Sequence, residues 1–477
     1  MDFASLRALR ENSKNYCYLR MKKQLKIVLI GAGSKEFSRG LIHDLVLDAE
    51  LSQTVDIETV LVDIHAQRLQ TILNYAQRCV EVTGSPVKFW ATTNREEALP
   101  GADFVLLSVA IGRMDLWEQD FRIPLSFGFR HVYGENGGPG ALFHALRNYK
   151  LIFPILRDIE QLCPETYLLN FTNPEARILT AILKLTKIRA IGLCHGFHNF
   201  QRLVGKIFDR PLEELDIRTA GMNHFYTFYR IVDKATGQDL IPEFTRRINA
   251  NLDILQPLVR FMWETFGILG YGHANHIGEY IGYAHEFNGL QWEFGIEKRR
   301  VLQREDIVNS WTAFRAWQHK IDVGTLLDSD ILEVDDDYLY GRRMPDEKVL
   351  KLSGELAVPV IGDLVLDRKM WRASVNVLNT EGYIENLARD ACIEVPAVVD
   401  AQGVHPEFVG SLPEAFAAQI RLQHSIQQLL VEAYQQRSKH LLYQALLLDP
   451  LVGSAVNARK MLDYMLDIQA EYLPEFV

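Results

Sequence analysis

LKIVLIGAGS, residues 25–34, decides the fold. Leu25–Ile30 is an apolar run of the kind that forms a strand buried on both faces. Gly31-Ala-Gly33 follows at once, and Phe37, Leu41, Ile42, Leu45 and Val46 then fall on one helical face. A strand that closes on two glycines and opens a helix is the first unit of a doubly wound α/β sheet. The glycines let the backbone approach a pyrophosphate, and the helix start adds N–H groups and positive potential. The third glycine of the G-x-G-x-x-G pattern is replaced by Glu36.

Outward from this unit the alternation continues. Glu58–Ile64 (ETVLVDI), Lys88–Thr92, Ala102–Ala110 (ADFVLLSVA), Thr166–Phe171 (TYLLNF) and Arg189–Leu193 (RAIGL) read as further strands, with helices over 66–82 and 141–162. Asp63 ends the second strand, where a carboxylate holds a ribose diol and disfavours a 2′-phosphate. Gly31, Gly33, Ser34, Phe37 and Asp63 are therefore the expected cofactor contacts, and NAD is preferred over NADP. Asp63 lies farther from the glycines than the usual ~20 residues, which predicts a longer first helix or an insertion around 47–56.

Beyond about residue 200 the alternation weakens. Long helical stretches are expected at 249–268 and 412–447, with strand-like runs such as 215–232. The division expected is an N-terminal extension over 1–20, a Rossmann-like α/β dinucleotide-binding domain over 21–200 and an α+β domain for substrate, metal and oligomerisation over 201–477. The run MKKQLKIVLIGAG restarts at Met21 like a natural start.

The chain of 477 residues is 48% apolar and 23% charged, with a net charge of −10. That balance argues against broad nucleic-acid or anionic-membrane binding. No apolar run approaches the ~20 residues of a membrane span, and no signal peptide is read. Five scattered cysteines fit a reducing, cytoplasmic setting better than a disulfide framework.

Three polar clusters stand at or near strand ends: Asn170-Phe-Thr-Asn173-Pro174, Cys194-His195-Gly196 and Gly221-Met-Asn223-His224. A thiolate, imidazoles and carboxamides converging near a nicotinamide suggest a metal beside a redox cofactor. Taken singly, Cys194 reads equally as a core thiol and His224 as a satisfied core histidine. Asp335-Asp-Asp337 reads as a solvated loop, and Trp117, Trp263 and Trp292 as core rather than sugar-stacking rings.

Together the motifs resemble glycoside hydrolase family 4, the NAD- and divalent-metal-dependent glycosidases of the melibiase type. They are KIVLIGAGSKEFSRGLIHDL, ADFVLLSVAIG, NGGPGALFHALRN, NFTNPEA, IGLCHGFH, AGMNHF, HIGEY and the late LNTEGYIENLARDACIEVPAVVDAQGVHP. The N-terminal half also resembles lactate and malate dehydrogenases. The resemblance implies that Cys194 and His224 bind the metal, usually Mn²⁺, and that Asn173 contacts sugar hydroxyls. His195 takes the position linked to substrate class and, in some members, to acid catalysis. It implies oxidation at sugar C3, proton loss at C2, elimination at C1, water addition and re-reduction, an exception to the two-carboxylate rule. The base falls in 271–280, where Tyr280, His276 and Tyr271 are candidates and Glu279 is an orienting group. The acid common just before the equivalent of His276 is replaced by Ala274 and Asn275.

His195 favours an unphosphorylated α-glycoside: a galactoside, a glucoside or a uronide. If the substrate carries an anionic group, Arg113, Lys35, Arg39 and Arg147 are candidates to meet it. Relatives are homodimers or homotetramers, and the apolar C-terminal helices offer such an interface. The competing readings are an NAD-dependent dehydrogenase of the lactate/malate kind and a catalytically inactive sugar- or NAD-binding regulator.

Overall fold

The computed structural model describes residues 23–270, 274–288 and 335–477. The 1–20 extension, Tyr271 and Trp292 lie outside the described residues. Six parallel strands open the chain: β1 (Gln24–Ile30), β2 (Asp56–Val62), β3 (Lys88–Thr92), β4 (Phe104–Leu107), β5 (Tyr167–Asn170) and β6 (Arg189–Gly192). Their spatial order, 3-2-1-4-5-6, is that of the dinucleotide-binding fold. The apolar runs form strands because helices cover both faces; Ile27, Val28, Leu29, Val105, Leu106 and Leu107 are all sealed from solvent.

The long spacing between the glycines and Asp63 has a local cause. The helix Lys35–Leu47 is followed by a second short helix, Ala49–Thr54. Asp48 caps it, accepting the Leu51 N–H at 2.9 Å, and Arg368 from the second half of the chain grips the same carboxylate at 3.0 Å.

The sheet does not stop near residue 200. β7 (Leu215–Met222) and β8 (Phe225–Asp233) form an antiparallel hairpin. β9 (Met370–Leu378) and β10 (Cys392–Asp400) insert between that hairpin and β6, and β11 (Gly403–Pro406) pairs with β10. The two junctions are narrow: Gly192 pairs with Asn376, and Glu394 with Gly221. One sheet of eleven strands thus runs through both halves and changes from parallel to antiparallel at the β6–β9 edge.

Several expected elements are broken. The 249–268 stretch is no continuous helix: the helix Ile241–Asn249 ends, a 3₁₀ turn covers Leu252–Ile254, and Pro257 starts a new helix to Phe266. The 412–447 stretch splits into Glu414–Gln436 and Lys439–Leu448, because Arg437 turns to φ +55° and Ser438 caps the next helix. Asp335–Asp337 opens the short helix Asp335–Leu339 rather than a loop, and the Asp337 carboxylate receives Arg342 at 3.1 Å.

Arg147 requires a larger correction. It sits in the helix Gly138–Leu162 with its side chain 2% exposed, so it meets no substrate. Nη1 and Nη2 fork onto Asp120 at 2.9 and 2.5 Å, and Nη1 also donates to Gln469 at 2.8 Å. The pair ties the C-terminal helix Ala455–Ile468 to the helices beneath it. Burial pushes the Asp120 carboxyl up to about 6, with Arg147 pulling it back.

Arg147→Met therefore leaves a buried acid without its partner and costs about 3–5 kcal/mol at neutral pH. An acid whose folded pKa lies above its unfolded value loses stability as pH rises through that window. In the variant the window extends above 6, so its melting temperature should fall increasingly behind the parent's between pH 6 and 8. A constant gap across that range would contradict this assignment.

Candidate active site

The glycine turn is built by close approach. Gly31 has φ +97°, and a Cβ there would lie 1.8 Å from the Ser108 carbonyl oxygen. The N–H groups of Gly31 and Ala32 both donate to the Val62 carbonyl, at 2.9 and 3.0 Å. Asp63 closes the turn: Oδ2 accepts the Gly33 N–H and Oδ1 the His65 N–H, each at 2.8 Å. A Cβ on Gly33 would stand 2.7 Å from Oδ2. Ser34 occupies the N-cap position and makes no side-chain capping bond, so its hydroxyl does not cover the start of the helix. Phe37 packs on Phe171, just beyond β5, with ring centroids 4.5 Å apart.

The three polar clusters meet beyond the strand ends. Cys194 leaves β6 and His224 sits in the β7–β8 turn, yet Sγ and Nε2 approach to 3.5 Å. His224 reaches that place with φ +61°, a conformation uncommon for a residue with a Cβ. His276 joins them, its ring centroid 4.6 Å from that of His224. The Tyr280 hydroxyl donates to the Asn223 carbonyl at 3.4 Å. Asn173 stands across the site, its Nδ2 donating to Glu135 Oε1 at 3.2 Å.

Other expected residues stay apart. His195 turns outward, 65% exposed, with Nδ1 2.6 Å from Glu355 Oε1; that contact raises its pKa above the usual imidazole value. The Lys35 ammonium stands over the Tyr340 ring at 5.2 Å. Trp117 is buried against Tyr133, and Trp263 bonds to Asn249 within an aromatic cluster. The Arg113 side chain lies outside the described residues.

Glu135, Asn136 and the part played by Glu279 were not read from the sequence. Glu279 is fully buried, and its Oε1 accepts the N–H groups of Glu135 (2.5 Å), Asn136 (2.7 Å) and Gly137 (3.3 Å). These N–H groups lead into the helix Gly138–Leu162, so a carboxylate suits the position. The nest holds the Asn136 carboxamide 3.2 Å from Nδ1 of His224. The signal available was the run of glycines in NGGPG, which leaves N–H groups close enough together to share one oxygen.

The donor set fits a divalent metal. Burial lowers the His224 pKa to about 3, so its imidazole is neutral, as a ligand must be. An imidazole that ligates through Nε2 carries its proton on Nδ1 and needs an acceptor there; the Asn136 amide nitrogen stands 3.2 Å from Nδ1 while its Oδ1 has no partner, so the carboxamide supplies that acceptor once turned over. Burial and the Glu394 charge push the Cys194 thiol up, while the Gly196 N–H and Asn223 pull it down. Among the described residues no group of three or more His, Cys, Asp or Glu gathers. Two side chains are what Cys194 and His224 offer, with the remaining coordination positions open, as in catalytic rather than structural sites.

Comparison with known proteins identifies the family. The model of the family 4 glycosyl hydrolases matches residues 26–209, and that of the family 4 glycosyl hydrolase C-terminal domain matches residues 219–452. An alpha-glucosidase of Erwinia rhapontici is 28% identical over 94% of this chain and 98% of its own length. An alpha-galactosidase of Rhizobium meliloti is 29% identical over 94% of this chain and 89% of its own. The crystal structure of a 6-phospho-alpha-glucosidase from gut microorganisms, in complex with NAD and Mn²⁺, superposes with a TM-score of 0.74 at 23% identity, covering 95% of this chain and all of that one. With both halves matched in order, the chain belongs to family 4 of the glycosyl hydrolases and is a glycoside hydrolase.

Proposed function

We propose that the protein hydrolyses an unphosphorylated α-glycoside, an α-glucoside, α-galactoside or α-uronide, using NAD and a divalent metal such as Mn²⁺. The observation that carries the reading is the 3.5 Å approach of Cys194 Sγ to His224 Nε2, in a chain that also builds the Gly31–Asp63 nucleotide turn. When bound, the nucleotide accepts and returns a hydride at sugar C3 and the metal polarises the C2 and C3 oxygens. Asp63 would meet the ribose, and the helix start after Gly33 would meet the pyrophosphate. Cys194 and His224 hold the metal, and Asn173 directs its carboxamide to sugar hydroxyls.

Proton removal at C2 is assigned to the His276–Tyr280 pair, which flanks His224. Burial and the neighbouring Glu279 raise the Tyr280 pKa well above its ordinary value, so this phenol holds its proton tightly in the metal-free protein. The general-acid role at the leaving-group oxygen is assigned to His195 from its place directly after Cys194, with its exposed ring anchored through Nδ1 on Glu355 outside the Cys194–His224 cluster. The preference for an α-linked, unphosphorylated sugar rests on His195 at the position after the ligand cysteine and on two of the relatives, an alpha-glucosidase and an alpha-galactosidase. The dehydrogenase reading loses its support because both halves of the chain match a hydrolase family.

The reading also places the protein in the cytosol as a homodimer or homotetramer. The described cysteines are free, and no described helix is long and apolar enough to cross a membrane. Leu447, Leu448, Val456, Tyr464 and Ile468 leave apolar surface on the C-terminal helices for such a contact.

Purified protein with NAD⁺, Mn²⁺ and a thiol should release nitrophenol from a nitrophenyl α-glycoside without net accumulation of NADH. Steady NADH formation on a free hydroxy acid would instead support a dehydrogenase. Deuterium at substrate C2 should slow the reaction, and solvent deuterium should appear at C2 of the product; no exchange would reject proton removal there. Gly33→Ala should weaken NAD⁺ binding at least tenfold, because the new Cβ displaces the Asp63 carboxylate. Unchanged affinity in a fluorescence titration would remove Asp63 from the cofactor site.

A further inference from the structure

Glu394 is a carboxylate in an unexpected place. It lies near the start of β10, between Ile393 and Val395, which are sealed from solvent, and is itself 2% exposed. Burying a charge in an apolar strand is unfavourable unless the group has a hydrogen-bonding task. Its side chain takes the Asn223 carboxamide, whose Nδ2 donates to Oε2 at 3.0 Å, and the Ser374 hydroxyl also bears on the same carboxyl group.

Asn223 immediately precedes His224 in the β7–β8 turn. The positive φ of His224 persists only where surrounding contacts over-determine it. Three contacts do so. Asn136 stands at the ring, the Tyr280 hydroxyl holds the Asn223 carbonyl, and Glu394 holds the Asn223 side chain. The backbone repeats the last of these, since Glu394 pairs with Gly221 across the β10–β7 junction. The Asn223 carboxamide has two N–H donors. One serves Glu394, and the same carboxamide stands near enough to Cys194 to pull its thiol pKa down.

We infer that Glu394 is a positioning residue for the metal: through the Asn223 carboxamide it fixes the His224 turn and the Cys194 sulfur in the geometry that binds a divalent cation. This inference rests on the assignment of Cys194 and His224 as the metal ligands. Glu394 does not itself ligate. It acts through Asn223, so removing either member should have the same effect, and removing both should add little.

The experiment measures Mn²⁺ affinity of the metal-free protein from the electron paramagnetic resonance signal of free Mn²⁺. NAD⁺ affinity and thermal melting are followed alongside. Glu394→Ala should weaken Mn²⁺ binding by about 10–100-fold, the range for lost outer-shell partners, with NAD⁺ affinity unchanged. Glu394→Gln, which keeps an oxygen for Asn223, should restore most of that loss. Asn223→Ala should match Glu394→Ala, and the double variant should bind no more weakly than the weaker single one. A folded Glu394→Ala protein that melts earlier but binds Mn²⁺ as the parent does would overturn the proposal, and so would losses that multiply in the double variant. If Glu394→Ala does not fold, unchanged Mn²⁺ affinity in Asn223→Ala overturns it. Cys194→Ser separates the two levels. If it keeps parental Mn²⁺ affinity, the ligand assignment fails; if it loses affinity while Glu394→Ala and Asn223→Ala do not, only the role of Glu394 fails.

Discussion

The meeting of the Cys194 sulfur with the His224 imidazole is the constraint that the rest of the site depends on. The two residues leave strands that are not neighbours. β9 and β10 lie between β6 and β7, so the parent strands are roughly 14 Å apart at ~4.8 Å per strand. The gap is bridged by turns beyond the strand ends, at the place where a parallel sheet becomes antiparallel. Each junction there is a single register pair. Open α/β sheets bind ligands beyond the carboxyl ends of their strands, and β6 ends at this place. The packing around it is unforgiving: a Cβ on Gly192, at the end of β6, would fall 1.5 Å from Glu175 Oε1.

Buried carboxylates set the turns in place. Glu279 gathers three backbone N–H groups at the start of a long helix and thereby sets Asn136 against one side of His224. Glu394 holds Asn223 on the other side. Burial pushes the pKa of Glu279 well above its ordinary value and that of Glu394 up to about 7, and these hydrogen bonds pull both back down. Farther out, Asp120 and Arg147 join the C-terminal helix to the same body. The nucleotide turn obeys the same logic, with Asp63 spending both oxygens on backbone donors.

The parallel half of the fold was readable because its strands are short apolar runs buried on both faces, and because Gly31, Gly33 and Asp63 recur at strand ends. The motif residues Cys194, Asn173 and His224 were readable as strand-end polar groups. The rest depends on distant partners. β9 and β10 are ordinary apolar runs whose place between β6 and β7 no local pattern states. Arg147 was one of four basic residues considered for an anionic substrate, but its counter-charge is Asp120 on a neighbouring helix. Glu279 was read as orienting a residue beside it, whereas its recipients lie more than 140 residues earlier in the chain. The breaks at Pro257 and Arg437 were overlooked because apolar periodicity resumes after each one.

The central claim is that one metal ion touches both the sulfur at 194 and the imidazole at 224. The most direct measurement is the near-ultraviolet absorption of the cobalt(II)-loaded protein, since a thiolate ligand gives a sulfur-to-cobalt charge-transfer band that nitrogen and oxygen ligands do not. The account predicts such a band at one cobalt per chain, lost in Cys194→Ser and weakened or shifted in His224→Ala. A cobalt-saturated parent with no such band, or a band that persists without Cys194, would contradict it.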